Sequence, residues 1–233
     1  KYLPKDKRPG LILKTSHAGF SVIDRETTRQ KIEDVIKGMT DVPPIYLLHG
    51  DLKESEMVEL YNHPKVKVMV SFTKGEGYGR PLAEFATTGK PIIVSKWSGH
   101  VDFLPEDNTV FLAGQLTDVH NSAADKFLLK EAKWFTVNYS EAANKIYKVF
   151  NEYDSYLSKS AGLRTNIFNN FTMEKMTESL GKIMDKYVGT IAIQKPFQLP
   201  KLNKQKPFQL PKLNKQTPTS ETPKLKLPKL NKL

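Results

Sequence analysis

Glu76 and Glu84 flank the run Gly77-Tyr78-Gly79-Arg80-Pro81-Leu82-Ala83, with Gly75 just before it, so two carboxylates with seven residues between them frame three alternate glycines. An ionised carboxylate accepts strong, directional hydrogen bonds and so binds neutral polyols well. Glycines keep the backbone open to close approach, and Pro81 suits the first positions of a helix. The start of that helix leaves N–H groups free where the helix dipole also favours negative charge. The combination can hold a phosphate or diphosphate on amides at Tyr78–Arg80, with one acid on a sugar and the other on a ribose diol. That is a site for a nucleotide sugar. A tight turn with no ligand is the plainer reading, and the paired glutamates weigh against it. A dinucleotide fingerprint fits worse, because G-x-G-x-x-G needs glycine where Arg80 stands.

The elements that must position these groups follow from periodicity and punctuation. Val66–Ser71 reads as a strand, Phe72–Gly79 as a turn, Pro81–Thr88 as a helix stopped by Gly89, and Pro91–Ser95 as a second strand. Upstream, Leu11–Thr15 reads as a short buried strand, Ser16–Glu26 as a loop, and Thr27–Lys37 as a helix with Ile32, Val35 and Ile36 on one face. Ile45–His49 is a further strand, and Lys53–Asn62 a helix carrying Met57, Leu60 and Tyr61 and ended before Pro64. A weak strand is expected near Thr109–Leu112, and helical pattern beyond Thr117. Ser140 can cap a helix with the stripe Ala143, Ile146, Tyr147, Phe150, Tyr153 and Leu157, and Thr172 one with Met173, Met176, Leu180, Ile183, Met184 and Tyr187, a stripe read as core. Strands alternating with helices predict an α/β fold, a Rossmann-like parallel sheet with helices on both faces. Ligands in such sheets sit beyond the carboxyl ends of the strands, here Lys14-Thr15, His49-Gly50 and Thr73–Gly79.

Composition separates a body from a tail. Of the 233 residues, 39% are hydrophobic and 26% charged, which suits a globular domain with a core. The formal charge of +11 is concentrated in residues 190–233, whose ten lysines and one glutamate carry +9, leaving +2 for residues 1–189. That tail repeats KPFQLPKLNKQ at 195–205 and again at 206–216, with LPKLNK at 227–232. Proline recurs too often for helix, so a disordered, extended, basic tail is expected, with an anionic surface, partner domain or nucleic acid as its conceivable partner. The absence of cysteine excludes disulfides and thiolate metal sites and fits a cytoplasmic setting. No run of eighteen apolar residues indicates a membrane span.

The stretch Gly75–Glu84, followed by Gly89-Lys90-Pro91-Ile92-Ile93-Val94-Ser95, resembles the donor-site signature of retaining group 1 glycosyltransferases of the GT-B fold. Gly50-Asp51-Leu52 with Glu56-Met57 and Leu60-Tyr61 upstream, and Ser98-Gly99 with Asp102-Phe103-Leu104 downstream, also match it. The resemblance spans roughly Leu11 to Val188 and implies that residues 1–189 form the C-terminal, donor-binding half of such an enzyme. It further implies that Glu76 contacts the transferred sugar as the catalytic residue. The amides of Gly77, Tyr78 and Gly79 then face the diphosphate beside Gly75 and Arg80, Glu84 holds the ribose, and His49 and Gly50 border the base. No metal and no cofactor beyond the nucleotide-sugar substrate are implied. Two features of the family are missing: the acceptor-binding N-terminal half, expected in cis or in trans, and the arginine–lysine pair on the diphosphate, for which Lys14 is the available substitute. The chain alone is therefore expected to bind a donor more readily than to turn it over. A non-catalytic nucleotide- or sugar-binding module and a tether acting through the basic repeats are the alternatives.

Overall fold

The computed structural model describes residues 8–126 and 128–188. The repeats at 195–216 and 227–232, and the division between residues 189 and 190, lie outside them. The order is β1 (Leu11–Lys14), α1 (Val22–Ile36), β2 (Ile45–Leu48), α2 (Glu54–Asn62), β3 (Met69–Ser71), α3 (Arg80–Ala86), β4 (Ile92–Ser95), β5 (Val110–Leu112), β6 (Gly114–Asp118), β7 (Lys133–Val137), α4 (Tyr139–Asn151), α5 (Tyr153–Asn170) and α6 (Met173–Tyr187). The fold is mixed α/β with parallel strands, as expected. Among the described residues the strands form three hydrogen-bonded groups: β1–β2 parallel, β3–β4–β5 parallel, and the antiparallel pair β6–β7.

β4 is the centre of the body. Alternate residues of a strand face opposite sides, so a strand covered on both faces is apolar throughout. Ile92 and Val94 pack with Leu82, Phe85 and Ala86 of α3, Leu163 and Ile167 of α5, and the loop residues Phe103 and Leu104. Ile93 points the other way, into Leu112, Phe135 and Val137 of the strands and Ala142 and Val149 of α4. Helices thus cover both faces here. Lys90, between α3 and β4, ties α2 to this body by donating to the carbonyl oxygens of Tyr61 (2.7 Å) and His63 (3.0 Å), at the end of α2 where unpaired carbonyls attract a cation.

Several sequence expectations change. α1 begins at Val22, inside the stretch read as a loop, because Ser21 caps it by accepting from the Asp24 amide. β1 is not buried: Leu11 is 41% and Ile12 44% exposed. Residues beyond Thr117 are not uniformly helical, since β6 and β7 pair across a connection at 119–132. Asn138, not Ser140, caps α4 through its Oδ1, and the stripe running on to Tyr153 and Leu157 is broken at Glu152, where α5 begins as a separate helix. The buried face of α4 is Ala142 and Val149, while Tyr147 is exposed. Thr172 does precede α6 and accepts from the Lys175 amide, but no residue of that helix is buried and its apolar stripe lies at the surface.

Candidate functional site

The loop after β3 is fastened at four points. Ser95 of β4 donates its hydroxyl to the Thr73 carbonyl (3.0 Å). The β6–β7 pair takes hold of Lys74: the Phe135 amide donates to its carbonyl (3.1 Å), its Nζ donates to Thr136 Oγ1 (3.2 Å), and the same ammonium lies 4.5 Å from the centre of the Trp134 ring. Glu76 is held through its backbone. Its N–H donates to Ser98 Oγ (2.9 Å), and its carbonyl accepts from the Ser98 hydroxyl (2.6 Å) and the Gly99 amide (3.0 Å). Finally Gly79, with a left-handed φ of 89°, turns the chain into α3 and accepts from the amides of Leu82 and Ala83.

Ser98 is the strained member of this set. Its φ of 81° and ψ of −168° fall in a region that side chains other than hydrogen avoid, at a cost on the order of 1–3 kcal/mol. The two hydrogen bonds to Glu76 hold it there. Gly99 follows because a side chain at that position would collide with the Gly77 carbonyl. Ser98 matched the sequence signature, yet its role as the clamp on Glu76 was not read from it. The signal was the Ser-Gly pair immediately after an apolar strand, a turn chemistry with no other obvious purpose.

Fixing the loop this way leaves donors and acceptors uncommitted. Among the described residues no acceptor takes the amides of Gly77, Tyr78, Gly79 or Arg80, and no donor takes the Glu76 carboxylate. Glu84 differs: its Oε1 accepts from Arg80 Nε (2.5 Å), and Arg80 also approaches Glu54 at 3.5 Å. That pairing raises the Arg80 pKa, Glu84 being the main cause and Glu54 a lesser one. The Tyr78 ring is exposed and rests against Phe103, 4.8 Å between centres. Beneath the turn, the fully buried His100 donates from Nε2 to the Ser95 carbonyl (2.7 Å), leaving Nδ1 buried with no hydrogen-bond partner. From sequence His100 was only a loop histidine; it forms the wall against which Gly79 sits, where an added Cβ would meet its side chain at 3.2 Å.

The other candidates gather at the carboxyl ends of β1 and β2. Lys14 Nζ donates to the Gly50 carbonyl (2.7 Å) and lies 5.9 Å from the Phe20 ring centre. His49 Nε2 contacts Asp24 Oδ2 (2.7 Å), and its imidazole is buried. Asp24 also accepts from the amides of His17 (3.2 Å) and Ala18 (2.7 Å), and these bonds, His49's foremost, lower its pKa to about 2. The structure thus makes two groups of the predicted residues: Gly75, Glu76, Gly77, Tyr78, Gly79, Arg80 and Glu84 around one loop, and Lys14, His49 and Gly50 around another. Asp24, which the sequence did not single out, orders the second. A shallow hollow at Ala18–Thr27 adjoins it, and its one carboxylate, Asp24, is already engaged. Among the described residues no group of three His, Asp or Glu side chains gathers as a metal site, and no helix is long and apolar enough to cross a membrane.

No family model matches this chain, and no curated protein matches it. Solved structures do. The Anabaena protein Alr3699/HepE in complex with UDP-glucose aligns with a TM-score of 0.51 at 12% identity, over 76% of this chain and 40% of that one. The same protein with UDP and glucose gives 0.52 at 12% identity, over 78% and 42%. A glycosyltransferase from Rickettsia africae ESF-5 gives 0.53 at 13% identity, over 78% and 48%. This chain therefore shares its α/β fold with these structures, one of them a glycosyltransferase, and spans less than half the length of each of those chains.

Proposed function

We propose that this chain is the donor-binding half of a glycosyltransferase that moves a sugar, a hexose in the simplest case, from a nucleoside-diphosphate sugar to an acceptor with retention of anomeric configuration. The observation that carries the reading is the loop itself: consecutive uncommitted amides at Gly77–Arg80 next to an uncommitted carboxylate at Glu76. The amides take the diphosphate and stabilise it as negative charge builds on the departing phosphate, the main electrostatic task when the sugar passes through an oxocarbenium-like state. Glu76, its backbone fixed by Ser98 and Gly99, holds the sugar hydroxyls. Glu84 exchanges part of its Arg80 pairing for the ribose diol, which frees that guanidinium toward phosphate. His49 and Gly50 border the base, and Lys14 lends positive charge from the adjacent strand end. No metal is assigned a part. The likeness of fold to a protein solved with UDP-glucose supports a uridine nucleotide as the first donor to try.

The test is UDP-glucose binding by calorimetry, with transfer of labelled glucose measured when an acceptor-binding half is added. Glu84→Ala is expected to weaken binding at least about tenfold, the loss of a charge-assisted hydrogen-bonding partner. Glu76→Gln is expected to leave binding within a few-fold and cut transfer by roughly a hundredfold. Unchanged binding in Glu84→Ala overturns the ribose role. Firm binding with no transfer in any combination points to the non-catalytic module instead. A tether acting through the repeats would lose its partner, not its nucleotide, on deletion of residues 190–233.

A further inference from the structure

Trp97 stands just past the carboxyl end of β4, the side on which parallel sheets receive ligands, and immediately before Ser98, the clamp on Glu76. An indole carries one of the largest apolar surfaces of any side chain and is normally well buried. Trp97 keeps 41% of its surface in water, yet it is not loose. Its ring lies parallel to that of Phe135, 3° between planes and 5.8 Å between centres. Phe135 is buried beside Ile93, Leu112 and Val137, and it closes over Gly114 so tightly that a Cβ there would meet the ring at 2.7 Å. Both chain neighbours of Trp97 are tied as well. Lys96 donates its amide to the Leu112 carbonyl (3.0 Å) and pairs with Glu106 (2.7 Å), and Ser98 is bonded to the Glu76 backbone in both directions. The indole is thus backed by a rigid ring and presents its remaining surface to water.

The loop orders these parts. Its Lys74 end is bonded to the Phe135 amide, its middle is Glu76 on Ser98, and its other end is the run of free amides from Gly77 to Arg80. The Phe135–Trp97 stack therefore borders the loop at the end away from the amides, with Glu76 between. A pyranose presents two kinds of surface: a rim of hydroxyls, which donate well to a carboxylate, and faces of C–H groups, apolar enough to lie on the negative face of an aromatic ring. An uncommitted carboxylate and a fixed, open indole on adjoining segments match both. We propose that Trp97 forms the acceptor subsite: the acceptor is a carbohydrate, and one of its pyranose rings stacks its C–H face on the indole beside Glu76. A hydroxyl oxygen of that acceptor forms the new bond to the anomeric carbon of the donor sugar. The bond from that carbon to the diphosphate oxygen breaks, and the hydroxyl proton passes to the departing diphosphate. The inference rests on the donor reading of Gly77–Arg80 and adds the chemical class of the acceptor.

Trp97 and Trp134 are the two tryptophans of the 233-residue chain, so the indole emission of Trp134→Phe reports Trp97 alone. Methyl glycosides of glucose, galactose, mannose and N-acetylglucosamine are titrated into this variant of the full chain, with and without UDP. At least one of the four should shift or quench the emission saturably. Calorimetry with that glycoside should show binding weakened at least about tenfold in Trp97→Ala and partly restored in Trp97→Phe, which keeps an aromatic face. UDP-glucose should bind Trp97→Ala within about twofold of the wild type. No saturable response to any of the four, or equal glycoside binding by Trp97→Ala, overturns the subsite. Loss of UDP-glucose binding in both Trp97 variants also overturns it, since the ring then serves the donor. A glycoside that binds through Trp97 in a chain that takes no UDP-glucose supports the carbohydrate site and overturns the donor reading alone.

Discussion

β1 and β4 are alike in composition and unlike in fate. Leu11-Ile12-Leu13-Lys14 and Ile92-Ile93-Val94-Ser95 are both four-residue, apolar, parallel strands. Yet Ile12 is 44% exposed and Ile93 1%. The difference comes from neighbours. Among the described residues β4 has a strand on each side, α3 and α5 over one face, and α4 with β7 over the other, whereas β1 pairs with β2 alone and the helix that follows it, α1, is polar nearly all round and buries only Asp24 and Thr28. Apolar sequence makes a strand eligible for burial; the layers around it decide whether burial happens. The two regions therefore draw stability from different sources, one from packing and the other from caps and charge.

The largest expected contrast is a direct one. Ile93→Ala removes a side chain packed among Leu112, Phe135 and Val149 and should destabilise by about 3 kcal/mol, lost transfer energy plus the cavity left behind. Ile12→Ala, half in water already, should cost less than about 1 kcal/mol. Urea denaturation of the two variants reads the difference. Equal losses would mean that β1 is covered in solution, and the comparison would fail.

Within the well-packed region the site loop gives a smaller contrast. Gly99→Ala drives a Cβ into the Gly77 carbonyl, so the clamp on Glu76 must open; a cost of about 2 kcal/mol is expected. Donor affinity should fall with it. Gly75→Ala, with open space around its Cβ and no left-handed φ, should change stability by less than about 0.5 kcal/mol. Thermal melts of both variants beside UDP-glucose titrations separate a loop fixed by close backbone contact from one that is simply glycine-rich.

How much of this was legible in the sequence follows the same division. The strand, glycine turn, helix and strand of 69–95 were readable because each local signal agreed with its neighbours: an apolar run, alternate glycines, Pro81 at the helix start and Gly89 at its end. α1 was placed five residues late because its opening is polar and its cap, Ser21 with Asp24 three residues on, was taken for loop chemistry. β6 and β7 were missed because their pairing partner is distant and 119–132 between them is rich in Ala, Lys and Leu, which reads as helix. The stripe of α6 was legible as amphipathic, but among the described residues none of it is buried, so an amphipathic pattern did not by itself mark core. The Glu76 carboxylate and its flanking amides were read as a site and lie uncommitted on one loop; the clamp that fixes them was not read, because a serine strained to φ 81° leaves no mark on composition.

The least packed region should answer to acid chiefly through one buried group, beside the exposed Glu26 of α1, whose pKa the Arg29 pairing also lowers. Asp24 is buried, bonded to His49 and to the amides of His17 and Ala18, and its pKa stands at about 2 against an ordinary 3.8. A carboxyl whose pKa is lower folded than unfolded stabilises the fold above its unfolded value, and that contribution fades as pH falls through its folded value. Here it is complete above about pH 4 and lost toward pH 2. In hydrogen exchange from neutral pH downward, α1 and the loop at 15–21 should lose protection across that window while β4 is affected far less. Asp24→Asn should show the loosened α1 already at neutral pH, with little further change from this group on acidification. Equal acid sensitivity of α1 in the wild type and the variant would show that the Asp24–His49 pair does not order this region, and would leave Lys14, His49 and Gly50 without the support that brings them to one strand end.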